Sequence, residues 1–407
     1  YTRTTQISTI TNANGAPIPV NIANFANIVV QEPVGNAQGR QTGLGGAISF
    51  FNQNPEVSKQ ARWQIGLQRE LPGGWLAEAV YVGNYGYNIE ITRNINALPN
   101  QYLNTDNSRT AAMNANNTFL TGTIANPFVG LFPAGSGLQA GTIARSQLLR
   151  PFPAFGDITT TVNDGKSWYH SGQFRLEKRF TRNYTLQASY TWSKWLQETE
   201  YLNAGDAAPT KMISDQDVPH RLSLSAMYAF PFGKNQRWLT DAGWLTNAIV
   251  GGWQIQGVYA YQSGFPIPFG SFNTGNGNTA GDLFYNGGEI AIDNPTTERW
   301  FNTAAFTSLA NATSTNAAPV NHLRTLPYRF SSVRRDSINN VDFSLLKDIH
   351  IREGMRVQLR MELINAFNEA YFPNPVVNQT ASNFGQISAS NQENYARRAQ
   401  LGVKFLF

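Results

Sequence analysis

Asp215, Asp217 and His220 are the residues whose types and spacing come nearest to chemistry. Two carboxylates and an imidazole in one short run could hold a divalent cation, and in an extended chain Asp215 and Asp217 share a face because side chains alternate sides. No third oxygen ligand is in view where calcium takes about six or more, so a structural role for the run is the favoured expectation. The four histidines, His170, His220, His322 and His350, lie outside any hydrolase-like context such as G-x-S-x-G. Cysteine is absent, which removes disulfides and thiolate metal sites. The Asn273–Asn278 run lacks the lysine of a phosphate loop and the periodic aspartate of a calcium-binding repeat. No catalytic residue, resident metal or cofactor is expected. The aromatic residues Phe265, Phe269, Phe284, Tyr285, Trp300 and Phe301 could stack on a ligand, or staple long loops into a core of their own, which is the favoured alternative.

These residues sit on connections between segments of strict alternation. After a loop-rich stretch over residues 1–58, with weak strand candidates at 27–31 and 46–51, a hairpin is expected over 59–87. Trp63, Ile65 and Leu67 alternate with Arg62, Gln64 and Gln68, and Leu71-Pro72-Gly73-Gly74 supplies the turn. A long loop over 88–166 follows, then four strands over 167–263. In the cleanest of these, Tyr184, Leu186, Ala188, Tyr190 and Trp192 share one face, against Thr185, Gln187, Ser189, Thr191 and Ser193 on the other. Further strands are expected near Val218–Phe230 and Ile249–Ser263. A second long loop over 264–337 precedes the last three strands, over 338–407. Three of the four connections on one side of this nine-strand meander are tight turns, the link from Phe230 to Ala248 being longer, and every connection on the other side is long, an asymmetry with no reason in a water-soluble meander. Glu78, Arg175, Glu177, Arg179, Arg360 and Glu362 fall on polar faces, where they are expected to pair with one another or with an inserted domain.

The chain of 407 residues carries only 14% charged residues, well below the usual quarter, with 12% aromatics. No apolar run reaches the roughly 18 residues that a membrane-spanning helix needs, so a membrane reading has to be a strand reading. The net charge of +5 is scattered without a basic run, which argues against nucleic acid as a partner. Tyr1-Thr2-Arg3-Thr4-Thr5 opens directly into polar sequence with no export signal, and the chain is expected to be part of something longer. At the other end, Leu401, Val403, Phe405 and Phe407 alternate with Gln400, Gly402 and Lys404. Gln400, Gly402, Phe405 and Phe407 fill the slots of a pattern that resembles the C-terminal assembly signal of bacterial outer-membrane β-barrels.

Six further stretches resemble TonB-dependent outer-membrane receptors, in particular the Oar-like group of acidobacteria and myxobacteria. They are Leu148-Leu149-Arg150-Pro151-Phe152-Pro153, Tyr190-Thr191-Trp192-Ser193-Lys194, Ser214 to Arg221, Arg299 to Phe306, Asn340 to Lys347 and Glu362 to Asn368. The resemblance covers the chain from about residue 148 to its end. It implies an all-β, transmembrane antiparallel barrel of about 22 strands with long extracellular loops, of which this is the C-terminal part. It further implies a plug domain, not seen in this chain, coupled to TonB, ExbB and ExbD for uptake of a large or scarce ligand. Nine strands do not close a single-chain bacterial barrel, which uses an even number, so more strands are expected before Tyr1 or from the loop-rich segment. Expected partners are outer-membrane lipid and lipopolysaccharide, the barrel assembly machinery, and a small-molecule, glycan or peptide ligand. An anchoring or protein-exporting barrel, a passive pore and a secreted adhesin are the alternatives.

Overall fold

The computed structural model describes residues 39–105, 111–132, 137–181, 183–270, 285, 287–306, 321–352, 354–379, 381–388 and 392–407. Among the described residues nine long strands follow one another as an antiparallel meander: β1 (Lys59–Leu71), β2 (Trp75–Asn94), β3 (Ile158–Thr181), β4 (Tyr184–Glu198), β5 (His220–Ala229), β6 (Trp253–Gln262), β7 (Ile338–Arg352), β8 (Met355–Ile364) and β9 (Arg398–Leu406). Each pairs with its neighbours in chain order, and β1 and β9 form the two edges of the path. The short strand Ile48–Phe50 pairs in parallel with Ile158–Thr160 at the start of β3. It therefore adds nothing to the β1 edge. The strand candidate at 27–31 lies outside the described residues.

Alternation dictates the pairing register. Ala188 stands opposite Leu176 on β3 and Leu224 on β5, while Gln187 stands opposite Glu177 and Ser225. A one-residue slip would exchange the two faces of every strand, so the pattern fixes the register. The apolar face is bare: Phe174 is 48% exposed, Trp192 61%, Leu401 80% and Phe405 68%. A surface of this composition and extent needs an apolar solvent. On the polar face Arg175 pairs with Glu177 at 2.8 Å, Arg179 with the same carboxylate at 3.7 Å, and Arg360 with Glu362 at 3.4 Å. Glu78 stands opposite Arg175 in the register.

One end of the sheet is closed by tight connections, between Leu71 and Trp75, Thr181 and Tyr184, and Arg352 and Met355. Gly73 and Gly74 hold φ of 85° and 77°, a region closed to most side chains, so this first turn requires glycine. Three differences from the sequence reading follow from local chemistry. First, β2 runs on to Asn94 and β3 begins at Ile158, so the strands extend beyond the expected bounds of 87 and 166. Past register shifts on both sides of Ile89, which stands opposite Gly165, the residues from Ile91 to Asn94 carry the ladder on opposite the β-branched Thr159-Thr160-Thr161-Val162 run. Second, Ile249 lies in a short helix, Trp244–Val250, and β6 starts after it at Trp253 because Gly252 at φ 68° redirects the chain.

Third, the long connections at the other end are folded. Ile267, Phe269, Ile290, Phe301, Phe306, Leu326 and Val333 form a buried cluster drawn from residues that follow β6, and Val377 and Phe384, from the connection after β8, pack against it. Between β2 and β3, fully buried Asn96 donates to the carbonyls of Phe152, Phe155 and Gly156 and accepts from the Phe152 amide. Polar side chains bonded to backbone stand in for the ladder that a loop lacks.

Candidate functional site

On the polar face, at the loop end of β1 to β6, a cavity of about 690 Å³ opens beneath the folded connections. Strand parity delivers its floor: Asn84, Gln173 and Thr191 project from the same face of β2, β3 and β4. Tyr169 and Trp195 pack edge to face on one wall, with ring centroids 6.0 Å apart, and the Trp195 indole donates to Ser167 Oγ at 2.8 Å. Arg62 and Arg221 are the cations of the lining, no carboxylate lines it, and Phe265 closes the top. Aromatic faces, amides and two guanidinium groups suit a hydroxyl-rich or anionic ligand held by stacking and hydrogen bonds. The amide oxygen of Asn84 is buried without a hydrogen-bond partner among the described residues.

The roof of this cavity is held by arginines that join connections far apart in sequence. Asp217, whose side chain is fully buried, accepts from Arg334 at 2.6 Å and from the Trp195 amide at 2.5 Å. The same guanidinium donates to the carbonyls of Asp217, Gly264 and Ser331. Gly264 is required there, since a Cβ would lie 1.9 Å from the Arg335 carbonyl oxygen. Arg329 pairs with Glu200 and donates to the Ile213 carbonyl, and Arg335 pairs with Glu393. Buried Arg324 donates to the carbonyls of Leu326 and Phe269 and stacks on Tyr328, whose hydroxyl reaches the carbonyls of Tyr201 and Leu202. Burial pushes the Tyr201 hydroxyl up from its ordinary pKa. The Asp336 carboxyl is also pushed up, by burial, against the downward pull of the Phe372 and Ser337 amides that donate to it.

Of the six stretches that carry the family resemblance, four bond to one another in pairs and two bond within their own connections. Ser193 and Trp195, on β4, bond Val218, Pro219 and Asp217 of the Ser214–Arg221 run. Asp342 accepts from Asn365, which in turn ties Glu369 and Tyr395. Asn302 bonds the Ala304 amide and the Glu289 carbonyl, setting Phe301 and Phe306 into the loop core. Arg150 pairs with Asp157 at 3.0 Å, and Gln147 bonds the carbonyls of Pro153 and Phe155.

The metal candidates part company. Residues 214–217 form a turn, closed by the Asp217 amide on the Ser214 carbonyl at 3.2 Å, so the alternation that would put Asp215 beside Asp217 does not apply. Asp215 is exposed, Asp217 is spent on Arg334, and His220 lies on the apolar face against the Tyr190 hydroxyl at 2.8 Å. Among the described residues no three His, Asp or Glu side chains gather as metal ligands. Of the aromatic candidates, Phe269 and Phe301 are 0% exposed in the loop core, which removes them from any ligand-facing surface in this arrangement. Tyr285 packs against that core and bonds the Gly288 carbonyl, and Trp300 donates to the Arg334 carbonyl at 2.7 Å. Phe284 lies outside the described residues, and Phe265 lines the cavity. The terminal residues Gln400 and Gly402 lie opposite Glu362 and Arg360, with Phe405 and Phe407 bare on the other side. Sequence reasoning missed the arginines of the roof, because bonds such as Arg324 to Phe269, 55 residues away, and Arg329 to Ile213, 116 away, leave no period.

Residues 1–400 match the family described as the outer membrane beta barrel domain. No curated protein matches. Similar solved structures include the outer membrane transporter YddB from Escherichia coli, 11% identical with a TM-score of 0.37, covering 89% of this chain and 34% of that one. The FrpB iron transporter (F3-3 variant) from Neisseria meningitidis is 11% identical with a TM-score of 0.36, covering 88% and 32%. The ferripyoverdine receptor of the Pseudomonas aeruginosa outer membrane is 10% identical with a TM-score of 0.37, covering 86% and 27%. The chain thus spans about a third or less of the length of these structures. With its antiparallel meander, bare apolar face and polar face beneath long loops, the chain belongs to the outer membrane beta barrel domain family and resides in the bacterial outer membrane.

Proposed function

We propose that the chain is the C-terminal barrel portion of a TonB-dependent receptor of the Oar-like group, which takes up a ligand too large or too scarce for passive pores. The observation that carries this reading is the 690 Å³ cavity of mixed polar and aromatic lining on the polar face, roofed by ion-paired loops. A passive pore needs an open mouth, whereas a receptor needs a shaped site at the mouth and a gate below it. In this reading the loops capture, a plug held in the lumen gates, and TonB with ExbB and ExbD supplies the energy. The barrel does no covalent chemistry. Glycans and peptides, which offer hydroxyls, amides and anionic groups, match the lining better than an apolar cargo.

The test is accumulation of fluorescent glycans and peptides by cells with and without the intact protein. Accumulation that requires the protein and stops when the proton gradient is collapsed is expected. Equilibration that ignores the gradient would mean a passive pore, and no change in uptake would leave an anchor.

Assembly offers a separate expectation. A Cβ at Gly402 would meet only the Cβ of Arg360, at 3.9 Å, so the folded sheet accepts a small side chain there. Gly402→Ala should therefore leave the stability of folded protein unchanged, whereas a Phe405→Ala, Phe407→Ala double variant should be largely lost from the outer membrane and recovered in the periplasm. Fractionation against the parent reads both, and normal insertion of the double variant would remove the signal from these residues.

A further inference from the structure

The link between β5 and β6 is unlike the other connections at the tight-turn end. Some of its polar groups are bonded within the fold. Phe230 donates its amide to the Trp253 carbonyl at 2.9 Å, Asn247 accepts from the Lys234 amide at 2.8 Å, and Lys347 donates to the Gly251 carbonyl. The Trp253 indole bonds the Ile249 carbonyl at 2.8 Å. Large apolar side chains face out beside the exposed polar residues Lys234, Arg237 and Asp241: Trp238 is 54% exposed, Leu239 53%, Trp244 64%, Leu245 66% and Ile249 63%. In the helix Trp244–Val250, Trp244, Leu245, Ala248 and Ile249 share one side, as residues three to four apart do.

This surface runs into the lipid-facing side of the wall. A groove of about 580 Å³ is walled by Phe230, Phe232, Leu239, Ile249, Trp253 and Leu345, and Leu345 stands opposite Ile255 on the apolar face of β6. Its size falls within the roughly 300–1,000 Å³ of ligand sites. Exposed Lys234 and Arg237 stand at the tip of the link, between Phe232 and Trp238, whose rings meet edge to face at 5.6 Å. Leu239 adds a second, independent sign. It holds φ of 63°, a conformation that favours Gly or Asn, yet it presents a half-exposed aliphatic side chain to the groove. Such strain at an apolar position points to a contact outside the chain.

We propose that this link is seated in the periplasmic leaflet and holds one glycerophospholipid, an acyl chain in the groove and the phosphate against Lys234 and Arg237. The tight-turn end is the periplasmic end of barrels in this family, which assigns the leaflet. Tryptophan at the interface and cations reaching the phosphates are the ordinary terms of such contact.

These 407 residues hold no cysteine, so a single label placed among them reports on this directly once any cysteine elsewhere in the whole protein is replaced. Leu245→Cys carrying bimane, with Leu224→Cys and Ser225→Cys as markers of the two faces, would be read in the whole protein in phosphatidylethanolamine and phosphatidylglycerol vesicles with brominated acyl chains. Quenching at position 245 within about twofold of that at 224 is expected for an interfacial helix. Quenching at 224 but only by aqueous iodide at 245 would overturn the seating and leave the barrel standing. Failure at 224 would overturn both. Leu239→Asn relieves the backbone while removing the apolar anchor, so it should fold as well as the parent. Native mass spectrometry of protein extracted from membranes is expected to show a bound phospholipid in the parent, reduced several-fold in Leu239→Asn. Equal retention in both would overturn the groove as its site.

Discussion

Replacing Asp217 with alanine is expected to weaken the roof of the loop end by about 3–5 kcal/mol, the range for removing one partner of a buried ion pair. The Asp217 side chain is fully buried and that of Arg334 is 15% exposed, so the guanidinium left behind would keep its carbonyl contacts but lose its counter-charge in a site with little water. The Trp195 amide would lose its acceptor as well. Limited proteolysis of intact cells measures the outcome, as faster cleavage in the connections that follow β4 and β6, with the strands still inserted. Arg334→Lys should fail to restore protection, because one ammonium does not reach the Asp217 carboxylate together with the carbonyls of Asp217, Gly264 and Ser331. Asp217→Leu with Arg334→Met should recover much of it, since an apolar pair leaves no buried charge. Cleavage unchanged in Asp217→Ala would mean that the clasp does not hold the roof.

The wall was legible in the sequence and the roof was not, for a physical reason. Strand side chains repeat every second residue, so Tyr184, Leu186 and Ala188 declare their face, and the short and long connections declare the two ends. Even the strained turns are marked, by Gly73 and Gly74 and by Asn183 at φ 71°. The roof depends on pairs such as Asn203 with Arg324, 121 residues apart, and on Arg334 with Asp217, 117 apart, which no local period reveals. Asp215 and Asp217 misled because alternation was applied to a turn, where it does not hold. Phe269 and Phe301 are indistinguishable by residue type from ligand-stacking aromatics, and only burial assigns them to the loop core. The cavity falls between these cases. Asn84, Gln173 and Thr191 follow from parity on the wall, whereas Gln216 and Phe265 arrive by way of the roof.

The second large effect concerns the wall. Ala188→Arg is expected to cost about 2–4 kcal/mol in folding measured by urea titration in lipid vesicles, as arginine does on the lipid face near mid-membrane. Leu176 and Leu224 flank position 188, so the new guanidinium would find no acceptor on either neighbouring strand. Gln187→Arg, one residue away, should be tolerated. Gln187 is exposed on the polar face, where water solvates the added charge. A water-soluble sandwich with Ala188 in its core would also penalise Ala188→Arg, so stability alone does not separate the two architectures.

Solvent at the two faces separates them. A bimane label at Ala188→Cys, and in a second sample at Gln187→Cys, in the whole protein reconstituted into bilayers, can be challenged with quenchers carried on acyl chains and with iodide in the water. Strong quenching at 188 by the lipid-borne quencher, and at 187 by iodide alone, is the result expected of an outer-membrane wall whose aromatic face meets lipid and whose polar face meets the lumen. Quenching at 188 by iodide, or by neither reagent, would contradict it.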